Sequence, residues 1–298
     1  MEVGRPSETA HFVAILRAHH LLNAPEPKIL RDTAAQALAG ITDDADITGY
    51  VNGLIQSFTA LSDAETAKIF VRRIEESVCM RSRLVQWELE QGRKNGIEQF
   101  VILGAGLDAA AYGQQDYLAR LDMFEVDYPA TQDWKRTRLQ EAGFTIPDNL
   151  SFVPFDFEHQ TLGEALDAGG VDKDAVTLFS WLGVQPYLTD EAVRSTLSVL
   201  GTFKKGSRLV MDFIMPDYAI DDASNSDSIS QLGTIVAEMR EPFKSRYTTE
   251  DLETRFETAG FDKVEFHTTQ DMVNRVLNGD ADKCSMAPEA IYLLTATV

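Results

Sequence analysis

Cysteine is nearly absent from this chain: Cys79 and Cys284 are the only two among 298 residues, far apart and without a Cys-x-x-Cys spacing. That excludes a disulfide framework and a thiolate zinc site, and predicts both as small buried hydrophobes. Basic charge is scarce as well. Against 47 acidic residues stand 27 Lys and Arg, for a formal net charge of −20; this repels phosphate backbones and leaves no case for nucleic acid as a partner. No run of about 18 apolar residues is present to cross a membrane. The opening MEVGRPSETAHFVAILRAHH carries acids, a proline and three histidines where a secretory leader needs an unbroken apolar stretch. The expectation is a cytoplasmic protein without a membrane partner. Internal repeats and low-complexity segments are also missing. What is present is an ordinary globular composition, 44% hydrophobic and 9% aromatic, ample for a packed core. Acid runs such as Asp43-Asp44-Ala45-Asp46 read as solvated loops.

Strand-like text recurs at QFVILG (99–104), DMFEVD (122–127), SFVPFD (151–156), AVTLFS (175–180) and SRLVMDF (207–213), with KVEFHTT (263–269) and AIYLLTATV (290–298) closing the chain. Helix-length stretches lie between them at 107–120, 129–142, 159–168 and 189–203, the last preceded by Thr189 as N-cap, and again at 228–241 and 248–260. This alternation predicts an α/β fold: a Rossmann-like, seven-stranded, mostly parallel sheet with helices on both faces. Residues 1–95 read as an N-terminal helical cap, including a long helix from Ser62 whose Ser-x-x-Glu opening resembles a capping box. Residues 96–298 read as the core, with a cap or lid insertion after strand five near 214–247. Its polar stretch PDYAIDDASNSDSIS is a candidate mobile loop.

Ligands of such sheets bind outside the carboxyl ends of the strands. Those ends carry Gly104-Ala105-Gly106, then Glu125-Val126-Asp127, then Asp156-Phe157, then Ser180-Trp181-Leu182-Gly183. Gly104-Ala105-Gly106-Leu107-Asp108-Ala109 fits G-x-G-x-x-A, with Asp127 about twenty residues on. A glycine turn entering a helix lets a ligand approach bare backbone at a helix N-terminus. Asp127 could hold the ribose hydroxyls of either a nicotinamide dinucleotide or S-adenosylmethionine, since a carboxylate accepts from both hydroxyls of a vicinal diol. Asp108, in the first turn of the expected helix, would repel a pyrophosphate and favours the second cofactor, which carries a sulfonium cation and no phosphate. Asp156 can accept from an adenine amino group while the Phe157 ring packs on the base.

Taken together, QFVILGAGLDAAAY, FEVDYPATQDWKRTRL, FVPFDFE and FSWLGVQPYLT resemble the leucine carboxyl methyltransferase superfamily, most closely its bacterial branch of S-adenosylmethionine-dependent O-methyltransferases, over roughly residues 8–298. The resemblance implies that Gly104 and Gly106 pass under the methionine part, Asp127 holds the ribose, and Asp156 and Phe157 frame the adenine. It also implies an arginine on the helix before strand one that pairs with the cofactor carboxylate: Arg81, with Arg83 as the alternative. A planar guanidinium suits that task because it binds a carboxylate through two parallel hydrogen bonds. Gly183 and the following Gln185-Pro186-Tyr187 complete the implied pocket. The chain departs from the family pattern in two places. Ala110 and Gly113 stand where many relatives carry arginines, and Leu182 stands where others have a glutamate.

The implied reaction is in-line methyl transfer to a small-molecule acceptor, a carboxylate or a hydroxyl, with no metal. A nicotinamide-dependent oxidoreductase and a cofactor-binding relative without turnover are the alternatives. No catalytic base is assigned. His19 and His20 lie in a helical segment that in relatives is near the acceptor pocket, Tyr187 could touch either ligand, and His11, His159 and His267 fall in less suggestive text. An anionic acceptor would be met by Arg17, Lys244 or Arg246. Acceptor identity and oligomeric state are not encoded in any motif.

Overall fold

Gln99–Leu103, the apolar run ahead of the glycines, is buried at all five positions, as a strand covered on both faces must be. In a computed structural model it forms β1 of one seven-stranded sheet. The structure describes residues 7–59, 63–112, 118–220, 223–280, 284–286 and 291–298. The other strands are β2 (Asp122–Asp127), β3 (Leu150–Pro154), β4 (Thr177–Trp181), β5 (Arg208–Asp212), β6 (Lys263–Thr268) and β7 (Ile291–Thr297). Their order is β3-β2-β1-β4-β5-β7-β6. The pairs among β1 to β5 are parallel; β7 runs antiparallel to both β5 and β6. Strand order reverses between β1 and β4, so the crevice above those two strands is where a ligand site belongs.

Helices α1 (Glu8–Asn23), α2 (Ala35–Ala39), α3 (Asp44–Thr59) and α4 (Ala64–Asn95) precede β1, and α5 (Pro129–Glu141), α6 (Leu162–Gly169), α7 (Asp190–Leu200), α8 (Ala223–Glu238), α9 (Thr249–Ala259) and α10 (Thr269–Val276) follow it. Alternate strand residues feed two cores, as the period of two requires. Val101, Leu103, Val126 and Trp181 meet Leu166, Leu197 and Phe256 on one face. Phe100, Ile102, Met123 and Leu178 meet Leu84, Val85 and Met272 on the other. A third cluster joins Phe12, Leu16, Leu38, Ile47 and Phe70 to Leu107 and Leu139, seating the N-terminal helices beside the turn after β1.

All seven strands fall where the sequence predicts them, and Thr189 caps α7 as expected by accepting from the Ala192 N–H. Several expectations change. No α-helix occupies 107–120 among the described residues; Ala110–Tyr112 and Leu118–Arg120 are single 3₁₀ turns, and 113–117, with Gly113, lie outside the described residues. Asp108 accepts from the Ala110 N–H at 2.7 Å, and the Asn149 amide donates to the carbonyls of Leu118 and Leu121. Side chains here take the places that helical backbone bonds would fill.

The polar stretch after β5 is mostly helix: α8 starts at Ala223, and residues 221–222 lie outside the described residues. Leu232, Ile235 and Met239, in and just beyond α8, pack against the third core, which overrides the poor helix propensity upstream. Helix α10 was not expected. Thr268 and Asp271 cap it reciprocally. The cap of α4 is Asp63, accepting from the Glu65 and Thr66 N–H groups, while Ser62 lies outside the described residues. The acidic run 43–46 opens α3 instead of forming a loop, with acids at the positive end of the helix dipole. Cys79 is buried, but Cys284 is half-buried, and both are free thiols. Among the described residues no helix is long and apolar enough to cross a membrane.

Candidate functional site

The chain leaves β1 through two residues that only glycine accommodates easily. Gly104 has φ +67° and Gly106 φ +47°. A Cβ on Gly104 would stand 2.2 Å from a methyl of Val184, so the turn after β1 packs directly on the loop after β4. The turn is pinned to β2: Gly104 and Ala105 both donate to the Val126 carbonyl, and Gly106 donates to Asp127 Oδ2. Asp127 Oδ1 accepts from the Tyr128 N–H at 2.6 Å. Each carboxylate oxygen thus holds one backbone donor and keeps a further lone pair. Burial pushes the Asp127 carboxyl up to about 6, against the two backbone donors and Lys135, which draw it down.

Beyond β3, Asp156 accepts from the Glu158 N–H at 2.9 Å and pairs with His159 Nδ1 at 3.0 Å. The Phe157 ring lies nearly parallel to Trp181, with centroids 6.4 Å apart, and edge-on to Phe155. After β4, Gly183 (φ +68°) passes close against Arg81: a Cβ there would meet Nη2 at 2.8 Å. Arg81 Nη1 and the Gly183 N–H both donate to Asp212, a residue that no sequence motif marked. The loop has Leu182 in place of an acid, and the carboxylate that reaches it comes from the end of β5.

All seven residues singled out for cofactor binding, Arg81, Gly104, Gly106, Asp127, Asp156, Phe157 and Gly183, line one cavity of about 510 Å³. Its floor is the four strand ends. Its roof comes from α1 (Thr9, Ala10, Phe12, Val13, Arg17), α4 (Ile74, Val78, Arg81, Ser82) and α8 with the segment after it (Leu232, Val236, Glu241, Lys244). Ala10 sits over the glycine turn, 3.2 Å from where a Gly106 Cβ would be. The start of α1 is tied down by Glu241, which accepts from Ser7 Oγ, the Glu8 N–H and Thr9 Oγ1.

Other expected residues go elsewhere. His19 and His20 line a separate cavity of about 230 Å³, where Glu75 receives His19 Nδ1 at 2.5 Å. Their partner is an acid on α4, which the sequence could not reveal. His11 bonds the Ala39 carbonyl at 2.8 Å, and His267 is buried against Thr295, its pKa pushed down to about 4 by desolvation. Arg83 pairs with Glu90, and Arg246 pairs with Asp217 outside the cavity. Arg17 and Lys244 do line it, but Arg17 is engaged with Asp32 at 2.9 Å and the Leu107 carbonyl, and Lys244 with Glu158 at 3.0 Å. Asp108 lines the cavity without a helix behind it, so the first-turn dipole argument against a pyrophosphate loses its helix and only the bare negative charge remains. No group of three or more His, Cys, Asp or Glu side chains suited to a metal occurs among the described residues.

The leucine carboxyl methyltransferase family model matches residues 10–201. A Bacillus subtilis protein, YktD, named by inference as an S-adenosyl-L-methionine-dependent methyltransferase, is 30% identical over 306 residues, 99% of each chain. A Mycobacterium marinum protein with the same inferred name is 32% identical over 213 residues, 71% of this chain and 67% of its own. Among solved structures, a Thermobifida fusca protein described by inference as a methyltransferase shares the fold with a TM-score of 0.55 at 17% identity, over 99% of this chain and 96% of that one. A DUF574-family protein from Streptomyces avermitilis does so with a TM-score of 0.52 at 14% identity, over 95% of each. Shared fold, a family match that includes all four strand-end segments, and full-length similarity to YktD lead to one conclusion: the chain belongs to the leucine carboxyl methyltransferase family.

Proposed function

We propose that the protein is an S-adenosylmethionine-dependent O-methyltransferase acting on a small-molecule carboxylate or hydroxyl. The observation that carries the cofactor half is the buried Asp127 carboxylate, with a lone pair left on each oxygen, beside a glycine turn open to the cavity. These residues fit the cofactor's chemistry. Asp127 accepts from the two ribose hydroxyls, Gly104 and Gly106 bring main chain without side chains to the cavity wall for the methionine part, and Arg81 receives its carboxylate. Phe157 and Asp156 stand at the β3 end for the adenine. The cofactor supplies a methyl group already activated on a sulfonium, so the chain's task is to align and desolvate the acceptor. The roof helices exclude water over the turn, with Phe12, Val13, Ile74 and Val78 as its apolar part.

A carboxylate acceptor is the better match of the two. Among the side chains that could remove a hydroxyl proton, His19 and His20 hold Glu75 outside the cavity, burial pushes the Tyr187 phenol well up, keeping it protonated, and His159, which does line the cavity, is paired with Asp156 at the β3 end. A carboxylate is ionised at neutral pH and needs no base. Calorimetric titration with S-adenosylhomocysteine, with NADH as the comparison, tests the cofactor; binding of NADH alone would refute it. Methyl transfer from labelled S-adenosylmethionine to panels of carboxylic acids and phenols tests the acceptor. Label released from the product by mild base marks a methyl ester, and base-stable label marks an ether.

A further inference from the structure

Asp212 ends β5, a strand paired on one side with β4 as far as Met211 and on the other with β7 up to Asp212 itself, so the backbone leading to it is fixed from both edges. Its carboxylate makes two contacts. Oδ2 accepts from Arg81 Nη1 at 2.6 Å, and Oδ1 accepts from the Gly183 N–H at 2.6 Å. The two side chains are 15% and 16% exposed, so water screens the pair much less than it would a surface ion pair. Arg81 and Gly183 line the cavity, whereas Asp212 stands behind both of them.

An arginine on a helix has many rotamers, and binding a carboxylate through two parallel bonds requires one orientation of its plane. Of the Arg81 donors Asp212 takes only Nη1, and Arg81 makes no other hydrogen bond among the described residues. Gly183 supplies the matching surface, since only a residue without a Cβ lets the guanidinium lie against the loop. We infer that Asp212 is a positioning residue: it presets Arg81 to receive the amino-acid end of the cofactor and ties that arginine to the loop after β4. The inference rests on the reading of Arg81 given above. It also opposes simple electrostatics, because a negative charge beside Arg81 by itself disfavours an incoming carboxylate.

That opposition makes the test directional. Asp212→Asn and the parent are titrated with S-adenosylhomocysteine and with 5′-methylthioadenosine, which keeps adenine, ribose and sulfur but lacks the amino acid end. With Arg81 preset by Asp212, the variant binds S-adenosylhomocysteine about tenfold more weakly while 5′-methylthioadenosine stays within about twofold. Arg81→Lys combined with Asp212→Asn then loses little more than Arg81→Lys alone. Unchanged or tighter S-adenosylhomocysteine binding in the variant overturns the inference, as does an equal loss for both ligands, which marks a merely structural role. A parent that binds the two ligands equally well overturns the reading of Arg81 itself. Retained 5′-methylthioadenosine binding also reports that the variant is folded.

Discussion

Below the cavity, Gly106 donates to Asp127 across 21 residues of sequence, and its neighbours Gly104 and Ala105 donate to Val126. Above it, Ser7, Glu8 and Thr9 converge on Glu241 from 232 to 234 residues away. The floor is main chain held by adjacent parallel strands, and its demands fall on residue types: glycine where φ is positive, a carboxylate where two N–H groups point. The roof is held by the Glu241 side chain, beyond the end of α8, against the start of α1, where many residue pairs would serve. One half of the site is therefore constrained by backbone geometry and the other by tertiary packing.

The sharpest way to break this contrast is Asp127→Asn, which we expect to weaken S-adenosylhomocysteine binding roughly a hundredfold in calorimetry. The same carboxyl predicts a pH effect. Its pKa rises from 3.8 to about 6 on folding, so its stabilising contribution is fully present below 3.8 and is lost as pH rises through about 6. Thermal or urea unfolding should show the ligand-free parent losing about 3 kcal/mol relative to the Asn variant between pH 3.8 and 7. A flat difference would mean that Asp127 is not desolvated.

Gly104→Ala comes next. The positive φ and the Val184 contact predict a loss of about 1–3 kcal/mol in urea unfolding, together with weaker cofactor binding. Glu241→Gln probes the roof. Its three donors lose a charged acceptor but keep a polar one, so we expect about 1 kcal/mol less stability, little change in S-adenosylhomocysteine affinity, and a raised KM for the acceptor. An equal effect on both ligands would erase the floor and roof distinction. Arg246→Ala should be the mildest, within about 0.5 kcal/mol and without effect on turnover, because its ion pair with Asp217 lies at the surface outside the cavity.

The same division explains what could be read from the chain. The strands and the residues at their ends were legible because buried parallel strands leave unmistakable apolar runs and the turns between them need particular residues. The stretch after Asp108 was not, since its alanines suit a helix while Asp108 turns the backbone at Ala110 and Asn149, far along the chain, holds the turn at Leu118. Helix α8 was hidden in the opposite way, in a polar text whose fold is imposed by the core beneath Leu232 and Ile235. The capping box of α10 was visible as Thr-x-x-Asp and could have been found. Asp212 carried no local signal. Its meaning lies only in its distance to Arg81 and Gly183.

The ties between α1 and Glu241 also set a schedule. During synthesis the ribosome must add more than 230 residues after Ser7 before its partner exists, roughly 10–50 s at ordinary elongation rates. In the later part of that interval, once β1 to β4 have been made, their ends can assemble while the start of α1 still lacks its acceptor. If those strands fold as they are made, the floor is built and open to solution before the roof is tied down. Small molecules that bind the floor could engage it before the polypeptide is finished.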